Sequence, residues 1–381
     1  MGARIKNGIF VAALLVLCLP LIQQNYPFFT SGKLDGWFTS APPDTFSVKR
    51  WWSGAYQAGT NDYTNDHMGF RNELIRVNNQ LEFSLFDKTH SLSIVIGKER
   101  YLYQGVYINS YYGNDFVGYD PIREKLRKLK ALQDTFAAMG KTIVVVHAPC
   151  KAYYYPEYIP DRLIQPKRTA TNFEVYKRVC DSMGINQLDF NSWYVSLKNK
   201  GNELLYPKQA FHWSVYGSLL AADTFTRYIE KCRNIKMPHP VWDNIEHSNT
   251  PRYTDADIAK TCDIIFPTAV ETFSYPVVHY KADATASRPK TVYIGDSFLL
   301  TWMYDGLMQN TNTDWQIWYY FRLLYDKDHN EETPELYVGN TDWLAVLKKA
   351  DCVVFMYTAH NLKEMGNGLI EQAYGYYFEG K

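Results

Sequence analysis

Two short segments of this 381-residue chain hold the residue types that activate a hydroxyl. Gly295-Asp296-Ser297-Phe298 follows the run Thr291–Ile294 and opens a helical pattern. A serine on a strand-to-helix turn, at the C-terminal edge of a parallel sheet, stands where ligands bind. Its own N–H, at the helix start, is placed to stabilise an oxyanion, and Gly295 permits a tight turn and close approach of substrate. Asp296 or Ser297 could equally do no more than cap that helix. The second segment, Phe211-His212-Trp213-Ser214, precedes the helical pattern Val215–Lys231. Serine is a weak nucleophile near neutral pH and needs a base, and imidazole has the pKa for that work. Taken alone, Ser214 reads as a cap and His212 as one loop or core histidine among nine.

The elements that must hold these residues alternate between strand and helix. Arg123–Met139 sets Leu126, Leu129, Leu132 and Phe136 on one helical stripe, and Gly140 closes it. Thr142–Val146 is a β-branched run of the kind buried on both faces of a parallel sheet. Further strands are expected at Ser91–Ile96, Asn186–Phe190, Thr291–Ile294, Trp315–Tyr320 and Asp351–Thr358. Helices are expected at Glu73–Leu85, Thr171–Ser182, Val215–Lys231, Phe298–Met308, Trp343–Ala350 and Leu369–Phe378. This rhythm predicts an α/β fold of three layers around a mainly parallel sheet. Residues 234–290 lack it and read as an insertion or long excursion beside the site.

Forty basic and 40 acidic residues with 46% hydrophobic composition exclude wholesale disorder and a multi-spanning membrane protein. Zero formal charge lacks the electrostatic footprint of a nucleic-acid binder. Thirty-one Tyr and 10 Trp tilt toward flat-faced polar ligands such as sugar rings. At the N-terminus, Arg4 and Lys6 precede the apolar run Gly8–Ile22, and no small-x-small cleavage site lies between Leu19 and Phe29. Leu17 before Cys18 also argues against a lipoprotein. An uncleaved anchor is expected ahead of a removed signal, with residues beyond about 30 outside the cytoplasm by the positive-inside rule. The expected organisation is an anchor over 1–30, an extension over 31–90 packing on the core, and a catalytic domain over 91–381. Six cysteines without CxxC spacing, and His67, His147, His279 and His360 without ligand spacing, give no metal site. No cofactor motif is visible. Five cysteines outside the anchor leave at least one free or paired elsewhere, and Cys150 and Cys352 read as small buried hydrophobes.

The two segments in this order resemble the SGNH-hydrolase-like domains of alginate O-acetyltransferases. GDSF follows a strand, and His212-Trp213-Ser214-Val215-Tyr216-Gly217 lies upstream of it as HWS-x-x-G. Asn65-Asp66-His67-Met68-Gly69-Phe70-Arg71 is similar to the family's D-x-x-G-F-R segment. Val95-Ile96-Gly97-Lys98 with Tyr101-Leu102-Tyr103 resembles its G-K-x-G-x-L-F turn. Ala148-Pro149-Cys150-Lys151 and Tyr155-Pro156-Glu157-Tyr158-Ile159-Pro160 resemble its P-x-K … P-E-x-L-P block, and Asn361-Leu362 its closing R-N-L.

The resemblance implies an SGNH-like fold and an acyl-enzyme mechanism. Ser297 would attack an acetyl donor with His212 as base, and the acetyl group would pass to a polysaccharide hydroxyl. It also implies a multi-span membrane-bound O-acyltransferase partner as acetyl donor, and a single-pass protein of the inner membrane with its catalytic domain in the periplasm or outside the cell. The family's acid two residues before the histidine is replaced by Ala210. Either a different acid reaches the imidazole, with Asp189 at the end of an expected strand as one candidate, or a backbone carbonyl orients it in a Ser-His dyad, or activity is lost. Gly295, Lys151, Tyr304, Arg322 and Trp213 are the remaining candidates for oxyanion or substrate binding: Lys151 follows a buried strand, Tyr304 lies two helical turns after Ser297, and Arg322 follows a strand at the sheet edge. Transfer to water, making a carbohydrate acetylesterase, and a non-catalytic glycan-binding scaffold subunit are the competing expectations.

Overall fold

Every side chain of Thr142–His147 and of Cys352–Tyr357 is buried, so both faces of the sheet holding them must be covered. The computed structural model describes residues 2–35, 40–91, 93–266, 270–330 and 336–380. Its strands are β1 (Ile94–Ile96), β2 (Leu102–Gln104), β3 (Thr142–His147), β4 (Gln187–Asp189), β5 (His239–Ser248), β6 (Phe273–Lys281), β7 (Lys290–Gly295), β8 (Asp314–Tyr319), β9 (Leu323–Asp326) and β10 (Cys352–Tyr357). The central sheet runs β4-β3-β10-β7-β8-β9. All of its neighbours pair in parallel except β8 and β9.

Side chains alternate across that sheet. Ile143, Val145, Val292, Ile294, Val353 and Phe355 join one core with the apolar stripes of Tyr119–Ala138, Asn172–Met183 and Leu369–Tyr374. Val144, Val146, Tyr293, Val354 and Met356 join a second core with Val215–Arg233 and Phe298–Tyr304. The result is the expected helix–sheet–helix sandwich. Cys150 and Cys352 are buried, and no disulfide occurs among the described residues.

Three elements differ from expectation. The antiparallel strand β9 went unseen because its turn uses Tyr320 and Phe321 at φ 49° and 52°, where bulky residues give no turn signal. The helix expected over Phe298–Met308 breaks at Gly306, φ +79°, into Phe298–Tyr304 and Leu307–Thr311. The excursion 234–290 contains a two-stranded antiparallel ribbon, β5–β6. Its register shifts between Trp242 and Ile245, which destroys the period-two signal. Residues 267–269 of that stretch, and Leu92 of the expected strand Ser91–Ile96, lie outside the described residues.

The chain divides into two compact units, Met1–Leu92 with Ala259–Pro267, and Ser93–Ile258 with Thr268–Lys381. The first contains the helices Gly2–Asn25, Ala55–His67 and Arg71–Phe86. Within it, Arg4–Asn25 is a 22-residue apolar stretch with no buried share, long enough to cross a bilayer. A Cβ on Gly69 would lie 2.2 Å from the Pro20 carbonyl, so only glycine permits that approach. Phe70 beside it packs its ring 5.7 Å from Phe28. The second unit holds the sheet and the candidate site.

Candidate active site

Ser297 stands at the C-terminal end of β7, between β10 and β8. Two neighbours fix the turn that presents it. A Cβ on Gly295 would fall 1.9 Å from the Met356 carbonyl, so the close approach of β7 to β10 demands glycine. Asp296 is buried and braces the turn: its Oδ2 accepts from the Thr358 N–H at 2.8 Å, Thr358 Oγ1 at 2.9 Å and Asn361 Nδ2 at 2.9 Å. Its Oδ1 accepts from the Phe298 N–H at 3.2 Å, capping the helix that follows.

His212 arrives from the other direction. Ser214 caps Val215–Arg233 through the Gly217 N–H, at 3.0 Å, and fixes where the chain enters that helix. Just before the cap, the imidazole packs against the rings of Phe211 and Phe298, at 3.8 and 4.7 Å. Its Nε2 is 2.9 Å from Ser297 Oγ. Its Nδ1 is 2.5 Å from Oδ2 of Asp257. A carboxylate can only accept, so Nδ1 carries the hydrogen and Nε2 is left to accept from the serine hydroxyl. Asp257 Oδ1 accepts from the Phe211 N–H at 2.9 Å and the Ile258 N–H at 2.7 Å, so the backbone orients the carboxylate. Carboxylate, imidazole and hydroxyl thus form one hydrogen-bonded series, an arrangement able to raise the nucleophilicity of a serine.

The carboxylate that meets His212 therefore stands 45 residues after it, at Asp257, and not at Asp189. Asp189 lies on β4, which β3 and β10 separate from β7. Strand spacing puts that about 14 Å away. Its carboxylate caps the following helix instead, accepting from the Ser192 N–H at 2.8 Å. Asp257 had no sequence signal of its own, being one of several acids in a stretch whose periodicity is broken. The useful hint was that this stretch lies between the histidine's helix and the nucleophile's strand.

Trp213 is a core residue, fully buried, with Nε1 donating to Thr301 Oγ1 at 2.7 Å and its ring stacked on Trp302. It is unavailable to substrate. Lys151 is likewise buried. It is 2% exposed, and its Nζ donates to the carbonyls of Lys208 and Ala210, both at 2.6 Å. Desolvation holds its pKa down at about 7. Tyr304 is half exposed at the end of Phe298–Tyr304, beside a niche shared with Tyr253, Thr254 and Asp305. Arg322 is exposed at the β8–β9 turn, its N–H donating to the Tyr319 carbonyl. No group of three or more His, Cys, Asp or Glu able to hold a metal occurs among the described residues.

A mainly parallel α/β sandwich with a serine at the end of its central strand, met by histidine and aspartate, is an SGNH-like architecture. Residues 94–241 match the family model described as the SGNH hydrolase-like domain of acetyltransferase AlgX. Among solved structures it is similar to the O-acetyltransferase domain of Pseudomonas putida AlgJ, with 14% identity over 74% of this chain and 99% of that one and a TM-score of 0.47. It is also similar to Pseudomonas aeruginosa AlgX, with 12% identity over 73% and 67% and a TM-score of 0.43. For Bacillus cereus PatB1 the values are 12%, 64% and 91%, with a TM-score of 0.38. No curated protein matches the chain.

Proposed function

We propose that this chain is an extracytoplasmic polysaccharide O-acetyltransferase, held at the membrane by Arg4–Asn25, that works through an acetyl-Ser297 intermediate. The observation supporting this reading is the series Asp257–His212–Ser297, with distances of 2.5 and 2.9 Å. His212 Nε2 takes the Oγ proton as Oγ attacks the acetyl carbonyl, and returns it to the leaving group. The Ser297 N–H and one further donor hold the oxyanion. A sugar hydroxyl then loses its proton to Nε2, attacks the acetyl-serine and leaves as the ester, and Oγ recovers the proton. Asp257 holds the tautomer and steadies the imidazolium. Acetyl donors such as acetyl-coenzyme A are cytoplasmic, so a multi-span membrane acyltransferase would supply the group on the outer side.

The test is the full chain in detergent with 4-nitrophenyl acetate, beside Ser297→Ala and His212→Ala, followed by mass spectrometry of the Ser297 peptide. A burst and a 42 Da adduct, about the mass of one acetyl group replacing a proton, are expected in the wild type and neither in the variants. Three folded and equally inert proteins would refute acyl-enzyme chemistry. Adding glycan oligomers to the acetylated protein then separates transfer to sugar from hydrolysis.

A further inference from the structure

The segment that delivers His212, residues 208–212, belongs to no helix or strand, yet the base must be held to a fraction of an ångström. Its backbone is pinned group by group. The Lys208 N–H donates to both oxygens of Glu271, at 2.8 and 3.0 Å. The Lys208 carbonyl accepts from the Leu102 N–H at 2.9 Å. The Phe211 N–H goes to Asp257, and the Phe211 carbonyl accepts from the Tyr206 hydroxyl. Lys151 supplies the central tie, because a single Nζ takes the carbonyls of both Lys208 and Ala210.

A buried lysine is an expensive way to satisfy two carbonyls. Nζ lies 6.0 and 5.6 Å from the rings of Tyr101 and Tyr103, and the carboxylates of Glu271 and Asp257 act on it electrostatically. Other side chains could cap those carbonyls individually. Only a long side chain with several donors on one atom ties residues 208 and 210 to each other, two residues before the imidazole.

We propose that Lys151 is a positioning residue for the base: it fixes the curvature of 208–210 and so sets His212 over Ser297 and against Asp257. The proposal rests on His212 being the base. The tie needs N–H donors and not charge, so it holds on both sides of the lysine's own titration.

The test compares Lys151→Met, which keeps the stem and removes the donors, with Lys151→Gln, which keeps an N–H donor one bond shorter. Each full-length variant is checked for folding by circular dichroism. The readouts are kcat and KM for 4-nitrophenyl acetate, and the low-field proton resonance of the His212–Asp257 hydrogen bond. Met is expected to lower kcat about 100-fold with KM within about twofold, the size of effect that an ångström of misplacement produces, and to lose the low-field proton. Gln should fall between Met and wild type. A folded Met variant with wild-type kcat and proton overturns the assignment. So does a folded Gln as impaired as Met, because charge would then matter more than donors, and, if Met does not fold, so does a Gln variant that loses kcat while keeping the low-field proton. A wild type with neither turnover nor the low-field proton refutes instead the reading of the site on which the proposal stands.

Discussion

Asp257→Asn isolates the acid without touching the nucleophile or the base. Oδ1 accepts two backbone N–H bonds, from Phe211 and Ile258. The new amide must therefore keep its oxygen there and turn its NH2 toward His212 Nδ1, 2.5 Å from Oδ2 in the wild type. Two donors cannot share that space. The imidazole moves its hydrogen to Nε2, and the atom facing Ser297 Oγ becomes a donor with no lone pair for the hydroxyl proton. Losing a charge-assisted hydrogen bond to the imidazolium costs about 1.5–3 kcal/mol. Forcing the wrong tautomer brings the total to about 4–5.5 kcal/mol, a fall in turnover of about 10³–10⁴-fold, comparable to the same change in serine-protease triads. The assay is the pre-steady-state burst with 4-nitrophenyl acetate, read beside thermal unfolding. Asp189→Asn serves as control and is expected to stay within about twofold, since its carboxylate is a helix cap. A folded Asp257→Asn variant keeping more than about a tenth of the burst rate would refute the reasoning, because a tautomer-locking acid cannot be worth so little.

Two further outcomes follow from the same geometry. Gly295→Ala places a methyl 1.9 Å from the Met356 carbonyl and must pry β7 from β10. It should cost about 3 kcal/mol in urea unfolding, and an unchanged midpoint would contradict that packing. Asp255 is fully buried, and desolvation raises its pKa to about 7. Between about pH 4 and that value the native state keeps a proton that the unfolded chain has released. This contribution is whole below about pH 4 and gone above about pH 7, declining by about 1.4 kcal/mol per pH unit. Asp255→Asn should flatten the stability profile by that slope between about pH 5 and 6.5, and a profile parallel to wild type would count against a protonated Asp255.

The sheet was legible because buried parallel strands are continuous apolar runs, as in Thr142–His147 and Cys352–Tyr357. The strand–GDSF–helix order placed Ser297 at the edge before any coordinate, and the HWS segment placed His212 at a helix start. Sequence could not place Asp257. Its pairing with His212 depends on how an interrupted ribbon folds back, and a carboxylate in a loop looks alike whether it faces solvent or an imidazole. The burial of Lys151 and Trp213 was not legible for a related reason: amphipathic side chains carry no mark of which way they point.

The Ser297–His212 bond closes a loop of 85 residues, and His212–Asp257 a loop of 45. Trp213, beside His212, reaches Thr301 and Trp302 across a comparable separation, so one chain closure both buries the tryptophan and brings the imidazole to the serine. During refolding from denaturant, tryptophan burial and burst activity should then recover in one phase, and a burst returning in a separate, later phase would contradict that coupling.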